Sequence, residues 1–295
     1  KGFELFLERI LNRESGNDFR SLNWVADTFY NLGSGWGAKE LSPEAKAYYE
    51  KSLKADERIL AEAKSKKDFL EDPKLASGVK LRMARSNRRL GQFNDAINLL
   101  TEILKEKSTL VEVQREAAET LQDWGAVKPN FYKLAILGAR KVKGANGREE
   151  NLIWGWAMLA VKVQSNKQFV ADFHEARYNL AKCHMEQARL ETDAAKKKGL
   201  LLQAEKDILF TVRISPDMGG PEMRKKADSL LKSIQQLQGV KPTGLPAPKA
   251  IAAPKPAAPK VQPAVNSQPA AKTSAPAVVK PTVSADKAAA SATQK

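Results

Sequence analysis

The sequence contains few of the residues from which covalent links and metal sites are built. It has one cysteine, Cys183, and two histidines among 295 residues. A single thiol excludes a disulfide within the chain and a metal site made of several thiolates. No run of about 18 apolar residues occurs, so the sequence predicts no membrane-spanning helix. The chain starts with Lys1 rather than Met, so we expect a fragment or a processed form, with cytoplasm and cell envelope both open as its location.

Residue types that carry out chemistry do not occur at catalytic spacings. The stretch HEARYNLAKCHME contains both histidines, His174 and His184, ten residues apart. On a helix this separation is about 15 Å along the axis, unlike ligands at positions i and i+4. The Gly-rich stretch GSGWG, which we expect to form a loop, lacks the Gly-Lys-Ser or Gly-Lys-Thr ending of a phosphate-binding loop. We therefore expect no enzymatic activity, no metal and no cofactor.

Aromatic residues are absent from the last part of the chain, which is rich in Ala, Pro and Lys. Residues 241–295 hold ten of the 15 prolines and eight lysines against one acid, Asp286, which gives a net charge of +7. Such a segment buries too little apolar surface to offset the entropy of ordering it. The sequence therefore predicts a disordered tail over residues 240–295.

Residues 1–239 show the apolar spacing of helices. Apolar residues recur every three or four positions in segments such as AINLLTEIL, VEVQREAAETLQDW, FYKLAILGARKV and EENLIWGWAMLAVKVQ. No alternation of period two is evident, so we expect no strand. The sequence predicts an all-α domain whose closing helix spans about residues 221–238.

A spacing of Ala, six residues and then Gly occurs three times. The copies are Ala26 to Gly33, Ala84 to Gly91 and Ala118 to Gly125, and the last two glycines are 34 residues apart. A period of this size in a helical chain indicates stacked helix–turn–helix units. Small residues permit close approach of two helices, which predicts that Ala84 packs against Ala96 and that Gly91 ends a helix. Two further residues, Phe93 and Leu100, are expected to fill the wedge between the helices.

The stretch RRLGQFNDAINLLTEIL resembles the tetratricopeptide repeat family, which favours a Leu–Gly turn, an aromatic residue and then Ala with large apolar residues. PEAKAYYEKSLKAD is similar to the second helix of another copy, and Pro216 stands where the last repeat would end. The resemblance implies a right-handed α-solenoid of stacked antiparallel hairpins. Longer connections and an overlong segment after Lys54 predict an irregular array of four or five hairpins.

In this family the first helices of the repeats line a concave groove. By resemblance, Arg85, Arg88 and Arg89 would lie near that groove and would bind a protein or peptide partner of acidic character. The alternative is a solvated basic face that is partly neutralised by Glu102 and Glu106.

These observations favour a non-enzymatic scaffold for protein–protein interaction. An alternative is nucleic-acid or anionic-polymer binding through the basic tail, although its lysines are widely spaced and no aromatic residue is present to stack on bases. A third alternative is a docking module for an enzyme domain outside this sequence. The oligomeric state stays open.

Overall fold

The computed structural model describes residues 2–35, 41–144 and 147–247. Within these ranges the chain is helical except for one two-stranded antiparallel sheet and a short 3-10 helix, Lys167–Phe169. The elements are α1 (Gly2–Asn12), α2 (Phe19–Gly35), α3 (Pro43–Ser65), α4 (Leu75–Arg89), α5 (Phe93–Glu106), α6 (Val111–Val127), α7 (Asn130–Leu137), β1 (Ala139–Lys143), β2 (Glu149–Ile153), α8 (Trp156–Val163), α9 (Val170–Leu190), α10 (Ala194–Ile214) and α11 (Pro221–Leu237).

Local capping sets where several helices begin. The side chain of Ser42 accepts a hydrogen bond from the amide of Ala45 at 3.1 Å, and Pro43 occupies the first turn of α3. The side chain of Asp193 accepts one from the amide of Lys196 at 2.9 Å at the start of α10. Both side chains satisfy amide groups that a helix leaves without an internal partner.

Helices pack mainly on their neighbours in the chain. The pairs α2 and α3, α4 and α5, α6 and α7, and α9 and α10 are in extensive contact, and α3 also packs on α4 and α5 on α6. Two further contacts join α2 to α4 and α4 to α6. The largest core cluster extends from α4 to α9 and contains the fully buried Trp156.

Of the residues predicted to pack between helices, Ala84, Ala96 and Leu100 are buried, whereas Phe93 is half-buried. Ala26, Ala84, Ala96, Leu100 and Ala118 have no solvent-exposed surface. Ala84, Ala96, Leu100 and Ala118 belong to the same core cluster, which extends over α4, α5 and α6.

The three repeat glycines play two different roles. Gly91 has a φ of 76° and follows α4, where its amide donates to the carbonyl of Arg88 and the amide of Gln92 donates to the carbonyl of Asn87. This pair of hydrogen bonds is the Schellman pattern of a helix end. Gly33 and Gly125 instead lie inside α2 and α6, so they do not end helices.

Gly33 and Gly125 are sites of close approach. A methyl group on Gly33 would be 3.2 Å from the ring of Tyr49, and one on Gly125 would be 2.6 Å from the ring of Tyr132. Each glycine therefore lets the following helix fold back closely onto its own. The GSGWG stretch extends beyond α2, and Trp36 and Gly37 lie outside the described residues.

The expectation that no strand occurs is wrong. FYKLAILGARKV is helical only to Leu137, and EENLIWGWAMLAVKVQ forms β2 before α8 begins. The left-handed Gly138, with φ of 95°, lies between α7 and β1, and a methyl group there would be 2.3 Å from the carbonyl oxygen of Ile153. The strands pair Ala139 with Ile153 and Lys143 with Glu149. The chain thus turns out of α7 because only glycine fits beside the partner strand.

The closing helix α11 packs on α9 and α10, and the turn before it contains Pro216. The first residues of the predicted tail contact α11. The side-chain oxygen of Gln235 accepts from the amides of Thr243 and Gly244, and Asp228 accepts from the amide of Leu245. Residues 240–247 are therefore attached to α11. The rest of the predicted disordered tail lies outside the described residues.

Candidate partner-binding surfaces

Arg88 is enclosed by carboxylates of α6. Its Nε donates to Glu116 at 2.6 Å, and its other guanidinium nitrogens pair with Glu119 at 2.8 Å and Asp123 at 2.9 Å. The side chain of Arg88 is only 15% exposed. These pairs raise the pKa of Arg88, although burial alone would lower it. Arg88 is therefore a permanently charged group inside the fold.

Arg85 and Arg89 both lie on α4 but have different partners. Arg85 pairs with Glu112 at 2.6 Å and with Glu116 at 3.2 Å. Arg89 donates from Nε to the hydroxyl of Tyr49 at 3.3 Å, and among the described residues no carboxylate lies within ion-pair distance of it. Two of the three arginines predicted to bind a partner thus already bind carboxylates of this chain.

The acids that pair with Arg85 and Arg88 come from α6. Glu102 of α5, one of the two acids expected to neutralise the basic face partly, pairs with Lys80 of α4 at 2.9 Å. The acids of α6 recur every three or four residues, so they follow one face of that helix. They are Glu112, Glu116, Glu119 and Asp123.

Similar pairs continue along the molecule. Arg82 of α4 binds Asp56 of α3 at 2.5 Å, Arg115 of α6 binds Asp172 of α9 at 2.9 Å, and Arg177 of α9 approaches Asp207 of α10 at 3.4 Å. We name these five residues the arginine ladder: Arg82, Arg85, Arg88, Arg115 and Arg177. The ladder connects α3, α4, α6, α9 and α10 through charge-assisted hydrogen bonds, which are stronger than neutral ones.

Acids outnumber arginines where α4, α6 and α9 meet. Six carboxylates accompany Arg85, Arg88 and Arg115, the additional ones being Asp172 and Glu175. The pKa of Glu119 is raised to about 7, mainly by burial; Arg88 opposes this rise, and the neighbouring Glu116 and Glu175 add to it. A partner carboxylate that approached these arginines would meet carboxylates that already occupy them.

A second surface lies between α5, α7 and β1, and we name it the aromatic groove. Its volume is about 430 Å³. Its apolar lining comes from Ile97, Leu121, Trp124, Phe131 and Leu134, and its remaining lining residues are Asn94, Gly138, Ala139, Arg140, Lys141 and Asn151.

Two stacked rings, those of Trp124 and Phe131, form part of the apolar wall of this groove. The ring centroids of Trp124 and Phe131 are 3.7 Å apart with an interplanar angle of 16°. Phe93 stacks on Trp124 at 5.9 Å. All three residues are half-buried. The close approach of α7 at Gly125 places Phe131 against Trp124.

Arg140 is an exposed cation in the lining of the groove. Arg140 has a φ of 58°, a left-handed conformation that non-glycine residues rarely adopt. Its guanidinium donates to the side-chain oxygen of Asn98 at 2.9 Å. Among the described residues no carboxylate lies within ion-pair distance of Arg140. Arg140 and Phe131 were not among the residues singled out from the sequence, because a continuous helix was expected there.

The histidines and the cysteine take part in separate contacts. Cys183 is buried, burial raises the pKa of its thiol, and Sγ donates to the side-chain oxygen of Gln122 at 3.1 Å. His174 contacts Ser215 at 2.9 Å, and His184 contacts Asp207 at 2.9 Å. In the described part of the chain, no three potential metal ligands are grouped, and no helix is long and apolar enough to cross a membrane.

Comparisons with known proteins give this chain no relative. No family model matches the sequence, no curated protein matches it, and no solved structure matches the fold.

Proposed function

We propose that this chain is a non-enzymatic scaffold of stacked helix hairpins, similar to the tetratricopeptide repeat family, that binds segments of partner proteins. The observation that carries the proposal is the order of helix contacts. Each hairpin is made of consecutive helices, and α2, α4 and α6 contact one another in turn. This order is typical of arrays in which each unit buries its apolar face against the next one. We propose that the hairpins form a right-handed solenoid, which is one arrangement with this order of contacts.

The arginine ladder supports the same proposal. Arg88 joins the α4–α5 hairpin to the α6–α7 hairpin, and Arg115 joins the latter to α9. Charged pairs with little exposure hold their partners in one geometry, because separating them would leave a buried charge uncompensated. A scaffold needs such fixed geometry between units so that its binding surfaces keep their shape.

Affinity capture from a nuclease-treated host extract tests the proposal. The baits are the full chain and a chain that ends at Ala247, so that the segment attached to α11 is kept. We expect both baits to retain the same few proteins. If neither bait retains a protein above an empty-resin control, the scaffold proposal fails.

The basic tail supports a second candidate, which is binding to nucleic acid or another anionic polymer. Its net charge of +7 over residues 241–295 favours phosphate contacts through counterion release. In the same capture experiment without nuclease, this candidate predicts that only the full chain retains material. It also predicts that nuclease removes that material.

A further inference from the structure

The polar lining of the aromatic groove is cationic. It contains two cations, Arg140 and Lys141, and two side-chain amides, Asn94 and Asn151, and none of its lining residues is an acid. Lys141 pairs with Glu149 at 3.2 Å, but both side chains are 67% exposed. Exposed pairs of this kind contribute little and are readily exchanged. The groove therefore has the charge that complements an anionic ligand.

Arg140 is held at the groove in a conformation that costs free energy. A left-handed backbone is unfavourable for a residue other than glycine, because its Cβ atom crowds the following carbonyl oxygen. Such strained residues are concentrated at binding and catalytic sites. The hydrogen bond to Asn98 uses one of the five guanidinium N–H groups, so the others can donate to a carboxylate.

The apolar wall can take a large side chain. The rings of Trp124 and Phe131 and the side chains of Ile97 and Leu134 are next to one another in the groove. A volume of about 430 Å³ is within the range of small-ligand sites and suits one or two side chains rather than a whole helix. Covering this wall with an aliphatic or aromatic side chain would remove apolar surface from water.

We infer that the aromatic groove binds an extended segment of a partner protein in which a side-chain carboxylate lies next to a large apolar residue. The carboxylate pairs with Arg140, and the apolar residue covers Trp124 and Phe131. The polar lining supplies side-chain donors, which suit an internal Asp or Glu, whereas capture of a free C-terminus relies on a nest of backbone amides. This inference rests on the proposed scaffold function.

The chain's own tail is a poor occupant for this groove. Residues 248–295 contain seven lysines and one acid and have no aromatic side chain. A lysine-rich segment would bring like charge to Arg140 and Lys141, which disfavours binding. The charge of the groove therefore favours an acidic segment of another protein.

The test is selection of peptides from a random library displayed on phage against the full chain. Each peptide is fused through its C-terminus, so that no free terminal carboxylate is displayed. The most enriched peptide is then synthesised with an amidated C-terminus, and its Kd is measured by fluorescence anisotropy. We expect enrichment of peptides with Asp or Glu within two positions of Trp, Phe or Leu.

Charge reversal at the groove provides the decisive comparison. We expect Arg140→Glu to weaken binding of the selected peptide by about tenfold or more. A peptide in which Lys replaces the acid should recover binding to Arg140→Glu. The control is Lys133→Glu, which makes the same charge change at an exposed residue of α7 outside the groove lining. Thermal unfolding followed by circular dichroism verifies that both variants are folded.

Three outcomes would overturn the inference. One is that no acidic–apolar peptide is enriched, and another is that the synthetic peptide with an amidated C-terminus does not bind the full chain. The third is that Arg140→Glu and Lys133→Glu weaken binding equally. In each case, specific protein capture by the full chain would leave the scaffold function standing, whereas failure of the capture itself would remove that function.

Discussion

The arginine ladder and the aromatic groove use the same residue type in opposite ways. Arg88 is 15% exposed and pairs with three carboxylates of this chain, whereas Arg140 is exposed and donates to a neutral amide. A guanidinium surrounded by internal acids stabilises the fold and has few donors left for a partner. A guanidinium beside apolar rings and without an acid keeps its donors available. The count of arginines in a segment therefore says little about binding until their partners are known.

The largest expected effect is loss of stability when Arg88 is replaced. We expect Arg88→Met to lower the free energy of unfolding by about 3–5 kcal/mol, because Glu116 and its neighbours would be left without their cation. The measurement is urea unfolding followed by circular dichroism. Arg140→Met is the matched control and should change stability by less than about 0.5 kcal/mol. Equal losses in the two variants would remove the distinction between the ladder and the groove.

A methyl group at Gly125 should disturb the wall of the groove. We expect Gly125→Ala to lower the free energy of unfolding by about 1–3 kcal/mol, because the added carbon would overlap the ring of Tyr132 and push α7 away. Gly78→Ala in α4 is the control, since nothing lies within 4 Å of that position. There the higher helix propensity of Ala should stabilise the chain by about 0.5–1 kcal/mol. The midpoints of urea unfolding distinguish the two variants. Stabilisation by both substitutions would contradict the close packing of α7 on α6.

The ladder should also give the fold a pH dependence that the groove lacks. Burial raises the pKa of Glu119 to about 7 from 4.5, so the folded chain binds more protons than the unfolded chain between these values. Stability therefore falls as pH rises from about 4.5 to about 7, and this group adds no further change above that. Asp56, whose pKa is raised to about 6 by burial, contributes in the same direction at lower pH.

Replacement of Glu119 isolates its share of this dependence. We expect Glu119→Gln to raise the free energy of unfolding near pH 8 by roughly 1–2 kcal/mol. We also expect it to reduce the fall of the free energy of unfolding with rising pH between about pH 6 and 7. The control is Glu112→Gln, whose carboxylate is 59% exposed on the same helix. The measurement is urea unfolding across this pH range. An unchanged slope in Glu119→Gln would show that Glu119 titrates as an exposed carboxyl does.

The smallest expected effect is the change in stability when Arg140 of the aromatic groove is replaced by glycine. We expect Arg140→Gly to stabilise the chain by about 0.5 kcal/mol, because glycine adopts the left-handed conformation without the clash of a Cβ atom. The same substitution should weaken binding of an acidic peptide, though by less than the charge reversal Arg140→Glu does. A calorimetric melt and the anisotropy assay measure the two effects. A clear loss of stability would mean that Arg140 is held by contacts that the fold needs.

The helices could be predicted from the sequence because each has a regular apolar spacing, and Gly91 marks a real helix end. The β1–β2 hairpin was missed because its strands are short and mostly exposed, so they show little alternation. The signals that could have found it are Gly138, Gly144 and the Asn146–Gly147 pair, which is typical of a tight hairpin turn.

The site was harder to predict than the fold. The partners of Arg85 and Arg88 lie 27 to 35 residues further along the chain, on a different helix. No local pattern in the sequence reports such pairing. The aromatic groove likewise depends on the tertiary approach of Phe131 to Trp124 and on a strand that was expected to be helix. The charge of a segment is readable from the sequence, whereas its availability depends on packing.

The most direct measurement compares two arginines that both lack an internal carboxylate partner among the described residues. Quantitative affinity capture from host extract would use the full chain, Arg140→Glu and Arg89→Glu as parallel baits. We expect Arg140→Glu to lose the captured proteins and Arg89→Glu to retain them. Loss with Arg89→Glu and retention with Arg140→Glu would contradict the assignment of the aromatic groove, because partners would then bind on the α4 surface that the family resemblance implies.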